Sequence, residues 1–241
     1  MTTDPAGPAS RREPAPSEPA PGRERRRGRQ AEAERNDRRV LDAAREVFAE
    51  QGPDAPVSAV AQRAGVGMGS LYRRYGSKAD LLRHLCLLAM RQTIEAAETG
   101  LAEPDPWDGL AGYVRTCVGF GSGSLGALAG TIESTPEMWQ TSRRSRELLD
   151  ALLTRAQQAG AARPDVTALD IAWLIELFGR HGPTWPGDGS TSSSGAIKNR
   201  LLAIALAGLR PAPADPLPNP PPTPHLYENR WSTQHPAPPP R

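Results

Sequence analysis

The chain has 241 residues, with 29 Lys and Arg against 27 Asp and Glu, a formal net charge of +2, 26 prolines and two cysteines. Cys86 and Cys117 stand far apart with no His or Cys at ligand spacing, which excludes a zinc site or a disulfide framework and predicts two buried thiols. No apolar run reaches the length of a membrane span and the N-terminus lacks an apolar signal segment, so a cytoplasmic protein is expected.

Eighteen of the prolines lie in residues 1–21 and 211–241. Both ends are poor in large apolar side chains and cannot bury enough surface to offset the entropy of ordering. We expect residues 1–34 to be a disordered basic, Pro-rich arm and residues 211–241 a disordered Pro-rich tail. Tyr227 and Trp231 stand among those prolines, in a tail that is either inert, the favoured reading, or a docking segment. Arg23–Arg29 (RERRRGR) carries five arginines; it either lies along phosphates or is a solvated linker. Between the ends helical periods dominate and no strand alternation persists, so the fold class is all-α.

In chain order, Asn36–Glu50 places Val40, Leu41, Ala44, Val47 and Phe48 on one stripe, a packing helix. Pro56 suits the first position of a second helix, with Val60, Ala61 and Ala64 on one face. Gly65-Val66-Gly67 breaks it, and Gly65 suits the left-handed conformation of such a turn. Met68–Tyr75 is a helix of about two turns, stopped by Gly76. Ser77 caps the next helix, with Asp80 as its capping-box partner. Two short helices around a glycine turn make a helix-turn-helix, whose second helix is shaped to enter a major groove.

Ala79–Ala97 is apolar nearly all round and joins this module to the rest. Glu103–Asp108 reads as a linker and Gly109–Phe120 as a helix. Gly119–Gly130, with five glycines, is loose, kinked or closely packed. Pro136 starts a helix that continues with the Leu148, Leu149, Leu152, Leu153 stripe to Gly160. Thr167 and Asp170 form a second capping box before Ala168–Arg180. Gly182–Gly195 is predicted to be a flexible loop, and Ala196–Leu209 the last helix. The last two helices carry more apolar surface than one small core needs, which points to a deep core or an oligomer interface.

The stretch AGVGMGSLYRRYGSKADLL, with RVLDAAREVF and Gln51-Gly52 upstream, resembles the signature of the tetracycline-repressor (TetR) family. A dozen positions agree in order and spacing over residues 35–90. The chain departs from the pattern in having Gly67-Met68 at the turn, where a Ser or Thr cap is common, and Tyr75 where Phe is usual. The resemblance implies a helix-turn-helix DNA-binding domain at residues 35–80 and a helical effector-binding and dimerisation domain at 81–210. It implies a homodimer through the helices at 168–180 and 196–209, which suits a twofold operator of two half-sites.

Double-stranded DNA is then the expected partner. Met68, Gly69, Ser70 and Arg73 are the candidate base-facing residues. Arg73 is the best reader because a guanidinium can hold guanine O6 and N7 together, with a phosphate contact as its other reading. The resemblance puts the Tyr72 hydroxyl on a phosphate and the Tyr75 ring in the core. Lys78, in the first turn of its helix, favours a phosphate; Arg74 and Ser58 are further candidates. The effector is unknown. Met90, Ile94, Trp107, Tyr113, Cys117, Phe120, Met138, Trp139 and Trp173 are candidate pocket residues, and Arg115, Glu133, Glu176 and His181 candidate polar groups beside them.

No hydrolase, metalloprotease, redox or nucleotide motif occurs, so no enzyme, cofactor or metal is expected. The two surviving readings are a ligand-released homodimeric repressor and an architectural DNA-binding protein without an effector.

Overall fold

The computed structural model describes residues 36–37, 39–180, 191–211 and 216–232. The described residues from 39 onward form one compact unit, and residues 36 and 37, which fall in a separate one, are helical. Among the described residues every regular element is helical, as the periodicity predicts. The expected N-terminal arm, residues 1–34, and His181 lie outside the described residues.

Helix α1 (residues 39–51) buries Val40, Ala43, Ala44, Val47 and Phe48, the predicted stripe. Helix α2 (Val57–Ala64) buries Val57, Val60, Ala61 and Ala64, with Pro56 as its extended N-cap, one position earlier than expected. Gly65 ends it at φ 67°, and the Val66 amide returns to the Ala61 carbonyl at 3.0 Å. This left-handed closure satisfies carbonyls the helix end would leave without donors. Arg63 then ties α2 to α1, reaching Glu50 at 2.7 Å and Glu46 at 3.4 Å. The guanidinium bond holds the Glu50 carboxyl below its ordinary range.

Helix α3 (Met68–Tyr75) buries only Leu71 and Tyr75. Helix α4 (Lys78–Ala102) starts at the predicted box: Ser77 Oγ accepts from the Asp80 amide at 3.1 Å and donates to Asp80 Oδ2 at 2.6 Å. This helix serves two cores. Leu81, Leu82, Leu85, Cys86 and Ala89 join the core of α1–α3, whereas Ala96 and Ala97 join a second core built with the later helices.

Helix α5 (Pro106–Gly119) begins inside the expected linker. Asp105 Oδ1 accepts from the Asp108 amide at 2.8 Å and Pro106 takes the first turn, so Trp107 is a buried helical residue. The proline and the acidic cap that read as linker are a helix start. Helix α4 and α5 cross backbone to backbone: a Cβ on Gly100 would stand 2.7 Å from the Gly109 carbonyl oxygen. Arg155 of helix α6 (Pro136–Gln158) closes the end of α4, donating to the carbonyls of Leu101 (3.1 Å), Glu103 (2.7 Å) and Pro104 (2.9 Å). A cation at a helix C-terminus meets both the free carbonyls and the helix dipole.

The glycine-rich stretch after α5 is closely packed. It forms a 3₁₀ segment, Ser122–Leu128, pressed against helix α7 (Ala168–Arg180). A Cβ on Gly123 would lie 2.7 Å from the Glu176 Cα, and one on Gly179 would run into the backbone of Gly123 and Ser124. Helix α7 opens at the predicted Thr167–Asp170 box, where Asp170 Oδ2 accepts from the Thr167 amide at 2.7 Å. Both thiols are buried, and burial pushes Cys86 and Cys117 up to about 12.

Two expectations are corrected near the end of the chain. Helix α8 spans Thr191–Gly208, so the serine-rich residues 191–195, expected in a flexible loop, are helical; residues 181–190 lie outside the described part. The tail is not disordered throughout: Pro224–Asn229 forms helix α9. Its neighbourhood is anchored at four points. Trp231 packs on the first core, Arg230 pairs with Glu176 at 2.7 Å, Glu228 pairs with Arg146 at 3.0 Å, and Asp165 Oδ2 accepts from the Leu217 amide at 3.0 Å. Proline content hides these few anchoring side chains.

Because the α7 contact is made by backbone and not by a flexible side chain, Gly179→Ala should destabilise the fold by about 1–3 kcal/mol, the usual cost of overpacking. A drop in the thermal midpoint relative to the parent protein checks this.

Candidate nucleic-acid interface and interior cavity

The α3 helix divides by face. Leu71 and Tyr75 point into the first core at 2% and 6% exposure, held with Val47 and Phe48. Met68, Gly69, Ser70, Tyr72, Arg73 and Arg74 are exposed. Leu71 and Tyr75 are one helical turn apart, so they anchor one side of two turns and leave the rest of the helix outward. Arg73 Nη2 donates to Ser70 Oγ at 3.1 Å, bringing a guanidinium and a hydroxyl together on one edge of the helix.

A Cβ on Gly69 would meet nothing within 4 Å. Packing inside the chain therefore gives no reason for glycine there. Lys78 is half-buried, with its Nζ 5.7 Å from the centre of the Phe48 ring. It lies in the first turn of α4, where N–H groups and the helix dipole favour an anion. Ser58 is exposed in the first turn of α2. Ser58 and Ser70 thus stand in the first turns of α2 and α3, Arg73 and Arg74 in the last turn of α3, and Lys78 in the first turn of α4.

A second feature lies deeper, a cavity of about 140 Å³. Its walls come from α4 (Cys86, Ala89, Met90, Thr93), α5, the 3₁₀ segment, α6, α7 and the C-terminal segment. Of the candidate pocket residues, Met90 and Tyr113 line it. Burial and the adjacent Cys117 push the Tyr113 phenol well above its ordinary value.

The others stand elsewhere. Cys117 is fully buried behind Tyr113, and Ile94 and Phe120 pack on the second core. Trp107 is buried under the Arg210 guanidinium, 4.4 Å from the ring centre. Met138 belongs to the first core, and Trp139 is half-buried on α6 away from the cavity wall. Aromatic content in the sequence marks core in these cases, because a large ring fills a core as readily as it lines a pocket. Arg115 and Glu133 are exposed. Glu176 lines the cavity and is 5% exposed.

Sequence reasoning missed the residues that complete the cavity, Tyr227 and Trp231, and the cation beside it, Arg230. Arg230 donates to both carboxylate oxygens of Glu176, at 2.7 and 2.8 Å, and to the Gly126 carbonyl at 3.2 Å. It also stacks 4.4 Å over the Trp173 ring, which meets Tyr227 edge to face at 6.2 Å. The spacing Tyr227–Trp231, one helical turn, was the available signal.

Cys86, Ala89 and Leu125 belong both to the cavity wall and to the core beneath α3. Among the described residues no group of His, Cys, Asp and Glu is arranged to hold a metal, and no helix is long and apolar enough to cross a membrane.

Comparison with known proteins agrees with this layout. Residues 40–85 match the family of bacterial regulatory proteins of the tetR type, and residues 105–211 match the C-terminal domain of SbtR-like transcriptional regulators. The uncharacterized HTH-type transcriptional regulator TtgW of Pseudomonas putida is 43% identical over 63 residues, 26% of this chain. That match spans 46% of TtgW, less than half the length of this curated relative. Over most of its length the fold matches the TetR transcriptional regulator SCO0520 of Streptomyces coelicolor, with TM-score 0.53 and 24% identity, covering 73% of this chain and 99% of that one. It also matches the TetR transcription regulatory protein of Mycobacterium vanbaalenii, with TM-score 0.52 and 28% identity, covering 76% of this chain and 99% of that one. The two family regions follow each other on one chain, helical in every regular element among the described residues, whose helix α3 presents polar and basic side chains outward, and the protein belongs to the TetR family of bacterial transcriptional regulators.

Proposed function

We propose that the chain is a homodimeric, sequence-specific repressor that binds a palindromic operator in double-stranded DNA and is released by a small-molecule effector. It acts in the cytoplasm, as a DNA-binding regulator of a bacterium would. The observation that carries the DNA reading is the division of α3: two anchored side chains, and Met68, Gly69, Ser70, Tyr72, Arg73 and Arg74 presented outward beside Lys78. In this reading Arg73 reads a base with Ser70 beside it. Tyr72, Arg74, Lys78 and Ser58 hold phosphates, and Gly69 lets the helix backbone come close to the duplex.

Dimerisation is supported by what α7 and α8 leave outside. Leu177, Ile197 and Ile204 are 56%, 36% and 58% exposed, while Leu202 and Leu206 of α8 face the second core. Exposed large apolar side chains on both helices are unfavourable in water and fit a second copy. Effector release is supported by the cavity, whose wall shares Cys86, Ala89 and Leu125 with the core that seats α3. A ligand that favours one arrangement of this shared wall shifts the population of recognition-helix spacings.

Selection of random duplexes by the purified protein tests the reading. Recovery of a palindrome with half-sites about one helical turn apart supports it; recovery of no motif, with binding lost at moderate salt, would sink it. Arg73→Ala should cost about 1–3 kcal/mol and relax preference at one position per half-site. Lys78→Ala should weaken all sequences about equally and reduce the salt slope of binding. Gly69→Ala should separate two effects. It should leave the fold as stable or firmer by up to roughly 1 kcal/mol, and still weaken operator binding, as read by thermal midpoint and by titration. Light scattering of Leu177→Glu/Ile204→Glu should give a folded monomer that no longer protects two half-sites.

A further inference from the structure

The C-terminal segment places a cation against the only buried carboxylate among the described residues. Glu176 is 5% exposed, and its side chain sits in the notch left by Gly126, where a Cβ would come within 2.8 Å of the Glu176 Cγ. Arg230 fills the remaining space: both carboxylate oxygens accept from it, the Gly126 carbonyl accepts as well, and Trp173 covers its face at 4.4 Å. Carboxylate, carbonyl and aromatic face form a fitted seat for a planar cation. The same segment brings Tyr227 and Trp231 to the cavity wall.

We propose that Glu176 and the Gly126 carbonyl at the cavity wall, with Trp173 beside it, form a cation subsite adjoining the cavity, filled here by the chain's own Arg230, and that it takes an aromatic guanidinium- or amidinium-type ligand which displaces the C-terminal segment. This rests on the effector-release reading above. The occupant states the chemistry. A neutral compound that expelled Arg230 would leave Glu176 buried without that cation, an unfavourable state, whereas a planar cation brings a replacement. The cavity of about 140 Å³ is close to the size that accepts one benzene ring, and withdrawal of Tyr227 and Trp231 enlarges it.

Displacement also reaches the DNA-binding module. Trp231 packs on the core of α1–α3, and Ser134 Oγ donates to its carbonyl at 3.2 Å. A further clamp, Arg146 with Glu228 at 3.0 Å, is at the more exposed rim, where water screens it. The segment is therefore a strap across the cavity that the ligand competes against.

Calorimetric titration of the full chain with benzamidine, and with its neutral analogue benzamide, tests the assignment. Arg230→Gln empties the subsite and should bind benzamidine at least tenfold more tightly than the parent protein, with no such gain for benzamide. Glu176→Gln added to Arg230→Gln should remove the gain. No gain, an equal gain for benzamide, or a gain that survives Glu176→Gln overturns the proposal. Should Arg230→Gln fail to fold, hydrogen exchange on the parent protein decides: saturating benzamidine should accelerate exchange at residues 224–229, and unchanged exchange overturns it. Operator titration of the same samples separates this subsite from the release reading. Benzamidine bound through Glu176 with the operator still held upholds the subsite and removes effector release. Operator release by other compounds with no binding of benzamidine to Arg230→Gln overturns the subsite and leaves release standing.

Discussion

One helix belongs to two hydrophobic cores, and most of the structure depends on that sharing. The N-terminal half of α4 closes the core under the recognition helix; its C-terminal half closes the core of the later helices. A continuous 25-residue helix joins the two cores through one ladder of backbone hydrogen bonds. Both ends are held firmly. Ser77 and Asp80 cap the start, and Arg155 gathers the carbonyls at the finish. The crossing at Gly100 and Gly109 fixes the rod against α5 with no side chain between.

The recognition helix shows the opposite economy. Two turns of helix are marginal in water, and α3 is stable only because Leu71 and Tyr75 pack beneath it. Everything else on it faces outward. That division leaves the Arg73 guanidinium bonded to the Ser70 hydroxyl on the same exposed edge, so little has to be broken when it meets another acceptor. Arg63 behaves differently: its guanidinium is committed to Glu46 and Glu50 and serves the fold.

Buried charge governs the far side of the molecule. Glu176 sits in the cavity wall at a place chosen by backbone contact, where α7 and the 3₁₀ segment meet through Gly123, Gly126 and Gly179. Such tight packing leaves a carboxylate little water, so a cation beside it lowers the free energy considerably. Arg230 supplies the charge, and Tyr227 and Trp231 cover apolar wall as they bring it in. Cavity, strap and recognition core are linked by shared residues, which is what the proposed release mechanism requires.

The helix-turn-helix was legible in the sequence almost to the residue. Its signals are local: the left-handed glycine after α2, the box at Ser77 and the one-face spacing of Val60, Ala61 and Ala64 act within a few residues of each other. The all-α class and the Thr167–Asp170 start were legible for the same reason. Misreadings came where local composition and long-range packing disagree. The Pro-Trp stretch read as a linker is a helix start, serines read as a loop are helical, and the proline-rich tail holds a helix. Of the aromatic residues proposed for the pocket, Tyr113 faces the cavity while Trp107 is core. Sequence by itself determined the recognition helix and which of its faces is polar, since those follow from short-range periodicity and capping, and its helix-turn-helix motif carried the resemblance that pointed to the family. Only the tertiary structure decided that the 3₁₀ segment meets α7 backbone to backbone, that Glu176 is buried there, and that Arg230, 54 residues away, returns to neutralise it, because charge pairing between distant segments leaves no periodic trace along the chain.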